Sequence, residues 1–125
     1  MAYLLDAHTL IWYFEQNNKL SKIAEDIIDD PENSIYVCSA TLWEIALKIS
    51  LGKLDVDFDE LLASLREAQF PILHIESVYM RGLIDLPMIH KDPFDRILIV
   101  AANIEDMTLI TADENIHKYS IKWKW

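Results

Sequence analysis

A chain of 125 residues, 52% of them hydrophobic and only two of them glycine, can bury about two thirds of the surface its unfolded form exposes and leaves little composition for linkers or disorder. One cysteine, Cys38, excludes an internal disulfide, no stretch approaches the roughly 18 apolar residues of a membrane span, and no basic leader precedes the first apolar run, so the expectation is a cytoplasmic protein. A formal net charge of -10 argues against a broad basic surface for nucleic acid, unless carboxylates gathered round divalent cations cancel the charge locally.

Residues 2 to 5, Ala-Tyr-Leu-Leu, read as a buried parallel strand ending at Asp6. His8 to Gln16 follows as a helix that Asp6 can cap, stopped by Asn17-Asn18. Ser21 opens a second helix to Asp29, with Ile23, Ile27 and Ile28 at helical spacing, and Pro31 and Asn33 mark a turn. Ser34 to Cys38 has the content of a strand and leads into a helix over Ala40 to Leu51, with Gly52 as its stop. Within that helix Glu44 has two readings. If Thr41 is the cap, Thr41-Leu42-Trp43-Glu44 is a capping box; if Ser39 is the cap, the Glu44 carboxylate is free for other work.

Asp57-Phe58-Asp59-Glu60 repeats the capping pattern and starts a helix to Ala68; a strand over Phe70 to Ile75 and an amphipathic helix from Ser77 to Leu86 follow, closed by Pro87. In His90-Lys91-Asp92-Pro93-Phe94-Asp95-Arg96, Asp92 is a helix cap and Pro93 suits the first helical position, which puts Asp95 one turn inside. The run Ile97 to Val100 suits a buried strand or an all-apolar helix, and the Asp-Pro start with Ala101-Ala102 favours the helix. Thr108 to Thr111 is a strand, Asp113 caps a helical turn over Glu114 to Tyr119, and Ser120 to Trp125 is an edge strand. In that tail Ile121, Trp123 and Trp125 form one covered face and Lys122 and Lys124 the exposed one; contact with RNA bases is a second use for aromatics beside lysines.

Short strands alternating with helices point to an α/β protein with a parallel sheet between helices, whose site lies beyond the carboxyl ends of the strands. Asp6, Glu44, Asp95 and Asp113 all follow strands or open nearby helices, so they can converge there. Gathered carboxylates repel unless cations neutralise them, and Mg2+ or Mn2+ prefers such oxygen ligands. His8, His74, His90 and His117 lack zinc-ligand spacing and fall to the surface or behind the site, and two glycines exclude a hidden phosphate loop.

Leu4-Leu5-Asp6-Ala7-His8, Ser39 to Ala46, His90 to Ala102 and Leu109-Ile110-Thr111-Ala112-Asp113 occur in the order of the successive motifs of PIN-domain proteins, and the chain resembles the VapC-type toxins of prokaryotic toxin-antitoxin pairs over nearly its whole length. The resemblance implies a single PIN domain over residues 1–125, a three-layer α/β/α sandwich with a mainly parallel central sheet. It also implies a Mg2+- or Mn2+-dependent endoribonuclease, usually a homodimer, held in check by a cognate antitoxin. By position, Asp6, Glu44 and Asp95 match the family's core metal-binding acids and Asp113 its less regular fourth, with catalysis by a water that the metal activates. Asp92 lies outside that set as a cap at the site's edge, and Thr111 is placed to hydrogen-bond a carboxylate or a metal-bound water. Arg96 has two equal readings, guiding phosphate or pairing with a neighbouring acid. The rivals are an inactive PIN-like binding module and a Mg2+-binding receiver domain. Receivers resemble one another in paired acids after the first strand and a late lysine, whereas Asp6 stands alone; the second Asp of haloacid dehalogenase phosphatases is replaced by His8.

Overall fold

The computed structural model describes residues 1–125. Five strands form one parallel sheet: β1 (Ala2–Leu5), β2 (Ser34–Cys38), β3 (Ile72–Leu73), β4 (Thr108–Ile110) and β5 (Trp123–Lys124), in the spatial order β3-β2-β1-β4-β5. Seven helices accompany them: α1 (Ala7–Phe14), α2 (Lys22–Asp29), α3 (Ser39–Ser50), α4 (Phe58–Ala68), α5 (Ser77–Asp85), α6 (Pro93–Ile104) and α7 (Glu114–His117). The result is the expected three-layer α/β/α fold. Its strand order differs from the 2-1-3-4-5 order of receiver-like sheets, which removes that rival on topology.

β1 is the axis. Leu5 lies opposite Val37 of β2 and Ile110 of β4, and successive side chains of the strand leave on opposite faces. Leu5 joins Leu10, Ile45, Leu61 and Leu65 in one apolar layer, while Leu4 joins Tyr79, Leu98, Ile99 and Leu109 in the other. The chain runs outward from β1 to β2 and β3, then returns to place β4 on the other side of β1. That reversal opens a crevice between the carboxyl ends of β1 and β4, where open α/β sheets bind their ligands.

The ambiguous run after Asp95 is helical, and α6 is buried from Arg96 to Ala102, with Asp92 capping it and Pro93 in its first turn. Two expected strands are far shorter than the sequence pattern suggested. Phe70 to Ile75 contributes only β3, because Pro71 has no N–H for the ladder and serves through its carbonyl, which accepts from Val37 N–H at 3.1 Å. Ser120 to Trp125 contributes only β5, because the backbone bends at 119–121 before pairing. Nor do the three apolar tail residues share one covered face: Ile121 packs on the Leu4 layer, Trp125 on the Leu5 layer, and Trp123 remains exposed, stacked on His117 with ring centroids 3.5 Å apart.

α5 reaches α6 closely at Gly82, where a Cβ would lie 2.6 Å from Val100 Cγ1. Val100 is β-branched and stiff in a helix, so it cannot swing aside. Gly82→Ala is therefore expected to lower stability by about 1–2 kcal/mol despite the better helix propensity of alanine, read as a lower urea midpoint with an unchanged slope; an unchanged or higher midpoint contradicts this packing.

Candidate active site

Asp6 stands at the mouth of the β1/β4 crevice and serves two partners at once. Its Oδ1 accepts the Thr9 N–H at 2.9 Å as the cap of α1, and its Oδ2 accepts the Thr111 hydroxyl at 2.5 Å. Thr111, fully buried after β4, therefore does reach a carboxylate, and the same hydroxyl oxygen receives the Asp113 N–H at 3.1 Å. Asp113 caps α7 by accepting from Asn115 N–H. The ends of two neighbouring strands thus deliver two acids side by side, each with one oxygen fixed by a helix start.

Glu44 arrives from α3. That helix begins at Ser39 with Cys38 in the cap position, so Glu44 is its sixth residue and the capping-box reading does not hold. The Ser39 hydroxyl does not cap either; it accepts from Ile75 N–H at 2.9 Å. Glu44 is buried, and its Oε2 meets Lys48 Nζ at 2.9 Å, one helical turn on. Asp95 comes from the first turn of α6, where its backbone N–H is capped by Asp92 Oδ1 at 2.9 Å and its own Oδ2 faces His90 Nε2 at 3.1 Å.

Asp6, Glu44, Asp92, Asp95 and Asp113 line one cavity of about 100 Å³, together with His8 and Lys48. All four acids singled out from the sequence come together there, and Asp92, assigned to the edge, lines the same cavity. A larger hollow of about 260 Å³ between α1 and α4 also holds acids. Those are surface groups, among them the α4 cap Asp57, so chemistry and not size singles out the crevice.

Burial pushes the Asp95 carboxyl up to about 7; the His90 hydrogen bond opposes this, and the charges of Asp92, Asp113 and Glu44 add to it. The cavity thus carries excess negative charge against one lining lysine. A hard divalent cation matches that donor set. As the side chains stand, no three of them close round a single point.

Arg96 follows neither expected role. It is buried and touches no acid; its guanidinium donates to the carbonyls of Pro87 (2.8 Å) and Leu86 (3.2 Å) and to the Tyr119 hydroxyl (3.0 Å). Its planar fork suits several acceptors at once, and here they are loop carbonyls and a phenol. Tyr119 and Lys48 escaped the sequence reading. Lys48 was visible as the helical i+4 partner of Glu44, whereas nothing local marks Tyr119, whose contacts to His90 and Arg96 are made across the fold.

Residues 3–122 match the family described as PIN domain. No curated protein matches the chain. Among solved structures, the chain resembles VapBC2 from Rickettsia felis bound to a DNA fragment from their promoter, with a TM-score of 0.73, 16% identity and coverage of 99% of this chain and 98% of that one. It also resembles DNA-bound VapBC from Salmonella typhimurium (TM-score 0.69, 16% identity, 99% and 97% covered) and VapBC-1 from nontypeable Haemophilus influenzae (TM-score 0.64, 16% identity, 99% and 97% covered). With a family match across nearly the whole sequence and a sheet order that brings its acids to one crevice, the chain belongs to the PIN-domain family.

Proposed function

We propose that residues 1–125 act as one PIN domain, a Mg2+- or Mn2+-dependent endoribonuclease that is the toxin of a type II toxin-antitoxin pair. The observation that carries this reading is the convergence of Asp6, Glu44, Asp92, Asp95 and Asp113 on one small cavity at the strand-order reversal. The VapBC complexes among its structural neighbours support the toxin assignment and an antitoxin partner. No helix is long and apolar enough to cross a membrane, and we place the protein in the cytoplasm.

In this proposal Asp6, Glu44, Asp95 and Asp113 hold the cation. When bound, it supplies Lewis acidity for attack by water on a phosphodiester and charge neutralisation for the leaving oxygen. The residues do the positioning. Asp6 is held by Thr9 and Thr111, so its carboxylate cannot rotate away, and Asp113 is held by Asn115 and its own backbone contact to Thr111. Lys48 shields Glu44 before the site is filled. Trp43 and Met80, each more than half exposed (61% and 54%), line one apolar groove with Ile75, Leu83 and Phe94, and a contiguous apolar surface of this kind supports a protein partner, which we assign to the antitoxin; a second copy of the chain is proposed from the family resemblance.

Antitoxin-free protein incubated with a mixed RNA pool is expected to give discrete fragments with Mg2+ or Mn2+ and none with chelator. Asp95→Asn is expected to lower cleavage by roughly 100-fold or more while folding is kept, since it removes charge that steadies the cation. Wild-type rates in the folded variant, or cleavage that survives chelation, overturn the assignment.

The raised Asp95 pKa sets a pH dependence for the metal-free protein. An ordinary unfolded Asp loses its proton near pH 4, whereas the folded group keeps it to about 7, so folding binds a proton between those limits. Stability from this group is full below about pH 4 and falls as pH rises to about 7. Thermal unfolding without metal is expected to show the decline, Asp95→Asn to flatten it, and Mn2+ at pH 8 to restore the wild-type midpoint more than the variant's. Equal slopes in both proteins contradict the account.

A further inference from the structure

Behind Asp95 lies a polar assembly that no expected role of the cavity uses. His90 sits in the loop before α6, with its Nε2 3.1 Å from Asp95 Oδ2 and its Nδ1 2.8 Å from the Tyr119 hydroxyl. Tyr119 is itself buried after α7, and Arg96 one turn into α6 reaches the same hydroxyl. Four side chains from three parts of the chain thus connect in series, ending on a carboxylate of the cavity.

Counting hydrogens and lone pairs assigns the direction of each bond. A phenol has one hydrogen to give and two lone pairs to receive with. The Tyr119 oxygen receives N–H from Arg96 at 3.0 Å and from the His90 backbone at 3.1 Å, which engages both pairs. Its single hydrogen then faces two acceptors, His90 Nδ1 at 2.8 Å and the His90 carbonyl at 3.3 Å, and the shorter contact takes it. An Nδ1 that accepts must be bare, so the ring carries its hydrogen on Nε2 and donates it to Asp95.

The loop is held independently. Arg96 also donates to the carbonyls of Leu86 and Pro87, so the strand of chain leading to His90 is pinned at both ends of a short span. Asp95 Oδ2 is the atom His90 engages, and Oδ1 makes no hydrogen bond within the protein. The arrangement anchors one oxygen and leaves the other for whatever enters the cavity.

We propose that His90 is a positioning residue for Asp95, fixed by Tyr119 and Arg96 as the Nε2–H tautomer so that the carboxylate presents Oδ1 to a divalent cation. The inference rests on the reading of the cavity as a cation site, and it adds a remote control of that site through Tyr119. Groups that orient a metal ligand from behind are worth about 10–100-fold in affinity.

Two measurements on the full chain test it. The first is the ring tautomer in metal-free protein at pH 8, from histidine nitrogen NMR: wild type is expected to show protonated Nε2 and bare Nδ1 at His90, and Tyr119→Phe to lose that preference. The second is Mn2+ affinity by calorimetry, with thermal unfolding as the check on folding. His90→Leu is expected to weaken Mn2+ binding by about 10–100-fold, and His90→Gln, whose amide N–H can reach the place of Nε2, to recover most of it. Tyr119→Phe is expected to weaken binding in the wild-type background and to add little on top of His90→Leu, since it acts through His90.

A folded His90→Leu that binds Mn2+ as wild type does overturns this inference alone, as does a wild-type His90 protonated on Nδ1. If His90→Leu does not fold, the tautomer and the Gln and Tyr119→Phe affinities decide. Wild-type protein that binds no Mn2+ overturns the cation reading and this inference with it.

Discussion

The hydrogen bond between Thr111 and Asp6 joins residues 105 apart in sequence and ties the carboxyl ends of β1 and β4 to one another. The chemistry of the cavity depends on the register behind it. Leu5 opposite Ile110 sets Asp6 level with Thr111, and a slip of one residue would turn the alternate side chains of a strand to the wrong face. That register is enforced from both sides, because Leu4 and Leu5 are each fully buried in a different apolar layer. The sheet core and the acidic crevice are therefore two results of one alignment.

Three of the five cavity acids cap helices: Asp6 for α1, Asp92 for α6 and Asp113 for α7. Capping and ligand binding look like competing explanations for an Asp at a strand-to-helix junction. A carboxylate has two oxygens, however, and a cap uses one of them. The backbone amides of a helix start fix the side chain and favour its charge, while the second oxygen stays available in Asp92 and Asp113 and takes the Thr111 hydroxyl in Asp6. Asp95 lacks such a backbone partner for its carboxylate, and its buried oxygen turns instead to His90. Burial, opposed by that hydrogen bond and aided by the charges of the neighbouring acids, pushes the Asp95 carboxyl up.

Much of this could be read in the sequence, for identifiable reasons. The strand-to-helix rhythm, the Asp92-Pro93 start and the four acids at junctions are local signals, and local signals specify elements and their order. Thr111 was legible because a hydroxyl two residues before Asp113 is near the site in any parallel arrangement. The roles of Arg96 and Tyr119 were not. An arginine beside an aspartate suggests a salt bridge or a phosphate contact, and only the path of the 86–90 loop shows that carbonyls take the guanidinium. The length of the edge strands also escaped local reading, since the tail's period-two pattern is the same whether two residues pair or six.

Those short edges bear on more than topology. A chain with 52% hydrophobic residues and a parallel sheet exposes sticky surface while it folds. An open strand edge is a template on which other chains can add, and natural proteins blunt it with short strands and lysines. Here each rim of the sheet ends in a pair of residues, Ile72–Leu73 on one side and Trp123–Lys124 on the other. Pro71 breaks the ladder beside the first, and lysines flank Trp123 at the second. Both margins of the sheet are thus poor templates for an added strand.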